Sequence, residues 1–154
     1  MRNFLGTACV ALWLTACTSN SHDADLPSGW EAAERLEELS QMPCAGSALT
    51  SESQEALAWT AASDSLSVFY DHAHFRCVQD VEAFMKRGDD AIDILVQPID
   101  MNPTAVAGCD CLYDISMQVP APKGDYTLTL YRRWDNMNRP NTPVKIGDAE
   151  LTVE

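Results

Sequence analysis

Apolar residues recur at every second position from Ser65 onward, and this period restricts the fold more than any other feature of the chain. A period of two places alternate side chains on opposite faces of a β-strand. Turn-forming clusters of Gly, Pro, Asp and Asn separate the alternating runs. The strand-like runs are 66–70, 74–78, 81–85, 91–96, 111–119, 126–131 and 144–153. Short strands spaced in this way predict a mainly β fold, a sandwich of antiparallel sheets.

A short helix is predicted before these strands, over residues 30–42. Residues 28–31 (Ser-Gly-Trp-Glu) have the S-x-x-E form of a capping box, and Ala32, Leu36 and Leu39 recur at helical spacing. Pro43 would end this helix. The next segment, residues 49–62, is ambiguous, and we expect a short helix or turn followed by a strand.

The first sixteen residues have the form of a secretory signal peptide. Arg2 precedes an uncharged, largely apolar run, residues 4–14, which is too short to cross a bilayer as a helix. Residues 14–17 (Leu-Thr-Ala-Cys) resemble the lipobox of bacterial lipoproteins, whose cysteine is lipidated and becomes the new N-terminus. The resemblance implies that residues 1–16 are removed and that Cys17 carries the lipid. An ordinary secreted protein and an uncleaved anchor are the alternatives.

These features predict three parts and a location. After the signal peptide, residues 17–29 form the lipidated cysteine with a polar tether, and residues 30–154 form one domain. The membrane is then a partner through the lipid at Cys17, since two or three acyl chains anchor a protein stably without help from its charge. The resemblance to lipoproteins implies the bacterial cell envelope and, by the sorting rule of that family, the outer membrane, since Thr18 rather than Asp follows the cysteine.

The negative net charge of the chain argues against nucleic acid and anionic lipid headgroups as binding partners. The 154 residues include 10 Lys and Arg against 23 Asp and Glu, a net charge of −13. Phosphate backbones and anionic headgroups are repelled by such a surface, so we expect no nucleic acid. With 46% hydrophobic residues the chain has enough apolar material for a packed core, which an acidic disordered tail lacks.

Four cysteines remain once Cys9 leaves with the signal and Cys17 is lipidated. An even number in an exported chain favours disulfides. Cys109 and Cys111 would lie two residues apart on one strand face, with Cβ atoms about 6.5–7 Å apart against roughly 3.8 Å in a disulfide. They should therefore not pair with each other. Two arrangements stay open: 44–109 with 77–111, or 44–111 with 77–109.

The histidines offer an alternative chemistry. His72 and His74, together with the cysteines, would suit a zinc or copper ion. Alternation turns both imidazoles away from the face of Phe75, toward solvent, unless a bulge near Ala73 changes their direction. The C-x-C pair could also act as a redox dithiol, although it lies on an apolar face beside Asp110, an unfavourable place for a thiolate. We expect neither a metal nor a cofactor.

Enzyme signatures are missing from the sequence. It has no G-x-S-x-G, no Walker loop and no G-x-G-x-x-G, and its glycines never cluster into a phosphate cradle. No residue is nominated as catalytic. The expected function is a non-enzymatic binding or structural module with an unknown protein or small-molecule partner. A thiol-redox or metal-binding activity of the C-x-C and H-x-H pairs is the alternative.

Three motifs together suggest a family. They are residues 72–77 (HAHFRC), residues 109–115 (CDCLYDI) and residues 124–128 (GDYTL). The chain resembles uncharacterised bacterial lipoproteins that have an F-x-C strand, a later C-x-C-L-Y-D strand and a G-x-Y strand. The resemblance implies an immunoglobulin-like β-sandwich with a cysteine-bearing core and brings no established activity. His74 and Arg76 depart from the pattern, since Asn is expected in place of Arg76.

Overall fold

The computed structural model describes residues 24–44, 54–105, 107–137 and 141–154. In this part of the chain, β-strands make up more than half of the residues and no helix occurs. In chain order they are β1 (Glu34–Arg35), β2 (Leu39–Gln41), β3 (Ala56–Ala61), β4 (Ser65–Arg76), β5 (Val81–Arg87), β6 (Ala91–Pro98), β7 (Asp110–Pro120), β8 (Gly124–Arg132) and β9 (Val144–Val153). The predicted runs 66–70 and 74–78 belong to one strand, β4, which ends before Cys77. The mainly β prediction is confirmed.

The strands form two sheets. One has the order β1-β5-β6-β8-β9 and the other the order β2-β7-β4-β3. All pairs are antiparallel except β6 and β8, which run parallel. The prediction of purely antiparallel sheets is therefore wrong at this pair. The reason is the path of the chain, which leaves β6, crosses to the other sheet as β7, and returns as β8 in the direction of β6.

One hydrophobic core joins the inner faces of both sheets. In β7 the buried residues are Cys111, Tyr113, Ile115, Met117 and Val119, as a period of two requires. They pack with alternating residues of β4 from the same sheet and of β5, β6 and β8 from the other. The apolar residues that alternate in the sequence thus form the contact surface between the two sheets.

The predicted helix over residues 30–42 is wrong. The segment forms turns and the two short strands β1 and β2. The Glu31 carboxylate accepts a hydrogen bond from the Gly29 amide at 2.9 Å, so the apparent capping box stabilises a turn. β1 pairs with β5 and β2 with β7, and without them β5 and β7 would be the edges of their sheets. An isolated helix of this length is marginal in water, whereas pairing of β1 and β2 covers both sheet edges.

Residues before β1 cover the outer face of the five-stranded sheet. Trp30 is buried against Phe84 and Leu95, with an edge-on contact to Tyr131 at 5.7 Å between ring centroids. Residues 24–29, which the sequence assigns to the tether, lie here as well: Ala24 and Leu26 pack on this second cluster. In the described ranges, no helix is long and apolar enough to cross a membrane.

Candidate functional site

The four cysteines form two disulfides. Cys44 is bonded to Cys111, with Cα atoms 5.7 Å apart, and Cys77 to Cys109, with Cα atoms 5.6 Å apart. This is the second of the two arrangements that the sequence left open. The bridges hold the strap of residues 34–44 to β7, and the end of β4 to the segment before β7.

The two bridges have different surroundings. Cys111 is completely buried on the inner face of β7. Cys109 precedes β7, which begins at Asp110, and it is exposed. The prediction of one strand face for both cysteines is therefore wrong for Cys109. Neither member of the C-x-C pair offers a thiolate in this state, because both sulfur atoms are bonded.

His72 and His74 lie in β4, which pairs with β7, the strand that carries Cys111. A bulge does occur in β4, between Tyr70 and Ala73, and it places His72 in the left-handed region with φ of 55°. The bulge shifts the buried positions of β4 from Leu66, Val68 and Tyr70 to Ala73 and Phe75, and His72 is exposed as expected. The His74 ring lies 5.6 Å from that of Trp134 and its Nε2 is buried, so the prediction that both imidazoles face solvent is wrong for His74. Within the described residues, no group of three or more His, Cys, Asp or Glu side chains is placed to hold a metal ion. Cys17 lies outside these residues.

His74 belongs instead to a polar cluster around Glu55, the Glu55 cluster, with Tyr70, Arg132 and Trp134. Glu55 Oε1 accepts hydrogen bonds from the Tyr70 hydroxyl and, at 3.0 Å, from the His74 backbone amide. Arg132 approaches the same carboxylate through Nε at 3.0 Å and donates from Nη2 to Oε2 at 3.3 Å. The Trp134 ring covers the guanidinium, whose Cζ lies 4.4 Å from the ring centroid.

The Glu55 cluster exists because β3 is shorter than β4. β3 pairs with β4 only as far as Asp71, so the later amides of β4 lack a strand partner on that side. The Glu55 carboxylate takes the place of a strand carbonyl at His74. The Gln79 side-chain oxygen does the same for the Arg76 amide at 3.0 Å. Because it accepts hydrogen bonds from several donors, the Glu55 carboxylate stabilises the second half of β4.

The pKa of Tyr70 predicts how stability changes at alkaline pH. Burial, and then the neighbouring Glu55 carboxylate, raises this pKa far above its usual value. The folded-state pKa of Tyr70 exceeds the unfolded value of about 10. The stability that the protonated hydroxyl contributes is therefore complete below about pH 10 and is lost as the pH rises further. We expect the free energy of unfolding to fall above that pH, and to fall less steeply in Tyr70→Phe. Urea denaturation at a series of alkaline pH values measures both slopes, and equal slopes would contradict the assignment.

A second polar network fixes the end of β4. Asp135 is fully buried and lies 3.2 Å from Arg76 Nε through its Oδ2 atom. Gln79 Nε2 donates to the same oxygen at 2.7 Å, and the Met137 amide donates to Oδ1 at 3.0 Å. Arg76 Nη1 also donates to the Ala107 carbonyl at 3.4 Å. The charge of Arg76 is therefore balanced by a buried carboxylate.

An open pocket of about 290 Å³ lies beside this network and the exposed disulfide, and we call it the turn pocket. Its lining combines apolar side chains with two carboxylates, one from the β4–β5 connection and one from the β6–β7 connection. It is formed by Arg76, Cys77, Val78, Gln79, Asp80, Pro98, Ile99, Asp100, Pro103, Ala105 and Ala107.

Sequence reasoning missed the residues that organise both networks. Arg132, Arg133, Trp134 and Asp135 follow the predicted strand 126–131 directly, and charged residues at the end of a buried strand need partners. That signal was present in the sequence. The partners themselves, Glu55 and Arg76, are far away in the chain and carry no local mark.

Comparison with known proteins gave no match: no family model fits the chain, and no curated protein or solved structure is similar to it.

Proposed function

We propose that this chain is a lipid-anchored lipoprotein of the bacterial cell envelope whose β domain is a non-enzymatic binding module. The observation that supports this proposal best is the use of the cysteines. Five cysteines remain after the predicted leader, and four of them are paired in disulfides, which persist in exported proteins and are rare in the cytosol. The fifth, Cys17, stands at the end of the lipobox-like sequence.

Within this proposal the domain is a β-sandwich of the immunoglobulin-like kind. Two sheets that share one core support the sandwich. The parallel β6–β8 pair is a departure from the antiparallel pairing of immunoglobulin domains. The finer class therefore stays a prediction, as does the resemblance to uncharacterised lipoproteins.

Cys17→Ala tests the anchor. In a bacterium with two membranes, we expect the unchanged protein in the detergent-extractable membrane fraction, enriched in outer-membrane vesicles and labelled by radioactive fatty acid. The Cys17→Ala form should be unlabelled and lack the stable hold that two or three acyl chains give. Cys9→Ala is the matched control, because that residue lies in the leader and should not change either readout. A labelled or equally retained Cys17→Ala form would contradict the proposal.

A further inference from the structure

Val78, at the mouth of the turn pocket, is unfavourable for the fold in two ways. Its φ is 60°, a left-handed conformation that a β-branched residue rarely adopts. It is the third residue of the turn 76–79, which is closed by a hydrogen bond from the Gln79 amide to the Arg76 carbonyl at 3.3 Å. Turns with this backbone prefer Gly or Asn at that position. The side chain is also 91% exposed, so packing does not compensate for the strain. Such outliers concentrate at functional sites.

A second apolar side chain borders the same pocket. Ile99 is 37% exposed, and its amide donates to the Asp80 carbonyl at 3.0 Å, which holds the two loops together. The Cys77–Cys109 bridge and the buried Asp135 fix the turn that carries Val78. The pocket and its two apolar borders are therefore largely preformed, which lowers the entropy lost on binding.

The charge around the turn pocket is negative. Asp80 and Asp100 are exposed members of its lining, whereas the cation of Arg76 is balanced by Asp135. The chain as a whole carries −13. A cationic group next to an apolar one is the complement of this surface.

The position of Val78 favours a protein segment over a small molecule. A compound inside the pocket would leave this outward side chain in water, whereas a partner surface covers both the pocket and the protruding valine. A second copy of this chain fits less well, because Asp80 and Asp100 would approach carboxylates of the same charge.

We propose that the turn pocket binds a protein segment in which aliphatic side chains are flanked by Lys or Arg. The aliphatic group enters the pocket between Val78 and Ile99, and the cations face Asp80 and Asp100. This inference rests on the proposed binding function and identifies its partner class.

Synthetic tetrapeptides test the proposal by NMR on the isotope-labelled domain. The probe is acetyl-Lys-Leu-Leu-Lys-amide, with acetyl-Glu-Leu-Leu-Glu-amide and acetyl-Lys-Gly-Gly-Lys-amide as controls for charge and for the apolar group. We expect the probe alone to give saturable shifts at the amides of Val78, Asp80 and Ile99, with at least about tenfold weaker binding of both controls. No saturable shift at up to about 10 mM peptide, or equal binding of the acidic peptide, would overturn it.

Val78→Gly separates binding from folding. Glycine relieves the left-handed strain, so the melting temperature should rise by about 2–4 °C while binding of the probe weakens about tenfold. Val144→Ala is the control, since Val144 is a partly exposed apolar residue of β9 outside the pocket lining. A Val78→Gly protein that still binds as the unchanged protein does would overturn the proposal.

Sedimentation velocity tests the alternative that a second copy of the chain occupies the turn pocket. A dimer that Val78→Gly abolishes would show that a second copy fills the pocket, contrary to the proposal. If the probe peptide does not bind while the Cys17→Ala form still leaves the membrane fraction, the proposed partner class is wrong and the proposal of a lipid-anchored module stands.

Discussion

Glu55→Ala is expected to lower the free energy of unfolding by about 3–5 kcal/mol, a large part of the roughly 5–15 kcal/mol that stabilises a domain. The substitution leaves the Arg132 guanidinium without its carboxylate, and the Arg132 side chain is only 10% exposed. The hydroxyl of Tyr70 and the amide of His74 lose their acceptor at the same time. Urea denaturation of the oxidised protein measures the loss.

Two further variants divide this effect into its causes. Glu55→Gln keeps an acceptor oxygen but removes the charge, so it should lose less stability than Glu55→Ala. Glu55→Ala combined with Arg132→Met removes both charges and should recover part of the loss, because an unpaired buried cation costs more than its absence. If the double variant lost as much stability as Glu55→Ala and Arg132→Met lose in sum, or more, the pair would not be the origin of the effect.

Replacing Cys44 and Cys111 together by Ala is expected to cost about 4.4 kcal/mol. The bridge closes a loop of 67 residues, and the chain-entropy model gives about this loss at that length. Removing the bridge also frees the end of the strap that carries β1 and β2, and with it the cover of both sheet edges. Guanidinium denaturation of the variant beside the unchanged protein measures the difference.

The other disulfide provides the matched comparison. Cys77→Ala with Cys109→Ala opens a loop of 32 residues, for which the same model gives about 3.7 kcal/mol. Cys109 is exposed, so its truncation leaves no cavity, whereas truncation of the buried Cys111 does. A larger loss for the 77–109 pair would contradict this ranking. Thiol titration of the unreduced, unfolded mature protein should find no reactive thiol, and two or more would contradict the disulfide pairs themselves.

Local patterns in the sequence determined the strands from β4 onward. The run 144–153 coincides with β9, and the predicted alternation along β7 matches its buried residues from Cys111 onward. Such periodicity records which face of each strand meets the core, and that information is present in neighbouring residues. It also determined that the imidazole of His72 would face solvent and that Phe75 would be buried.

Only the tertiary structure decided the features that join distant segments. Residues 30–42 have a helical pattern, yet they form strands because two sheet edges elsewhere in the chain lack partners. Glu55 meets Arg132 across 77 positions, and the choice of disulfide pairs depends on where β2 lies beside β7. The local sequence sets the secondary-structure preference of a segment. Pairing with a sheet edge, neutralisation of a buried charge and closure of a disulfide loop depend on residues far away in the chain.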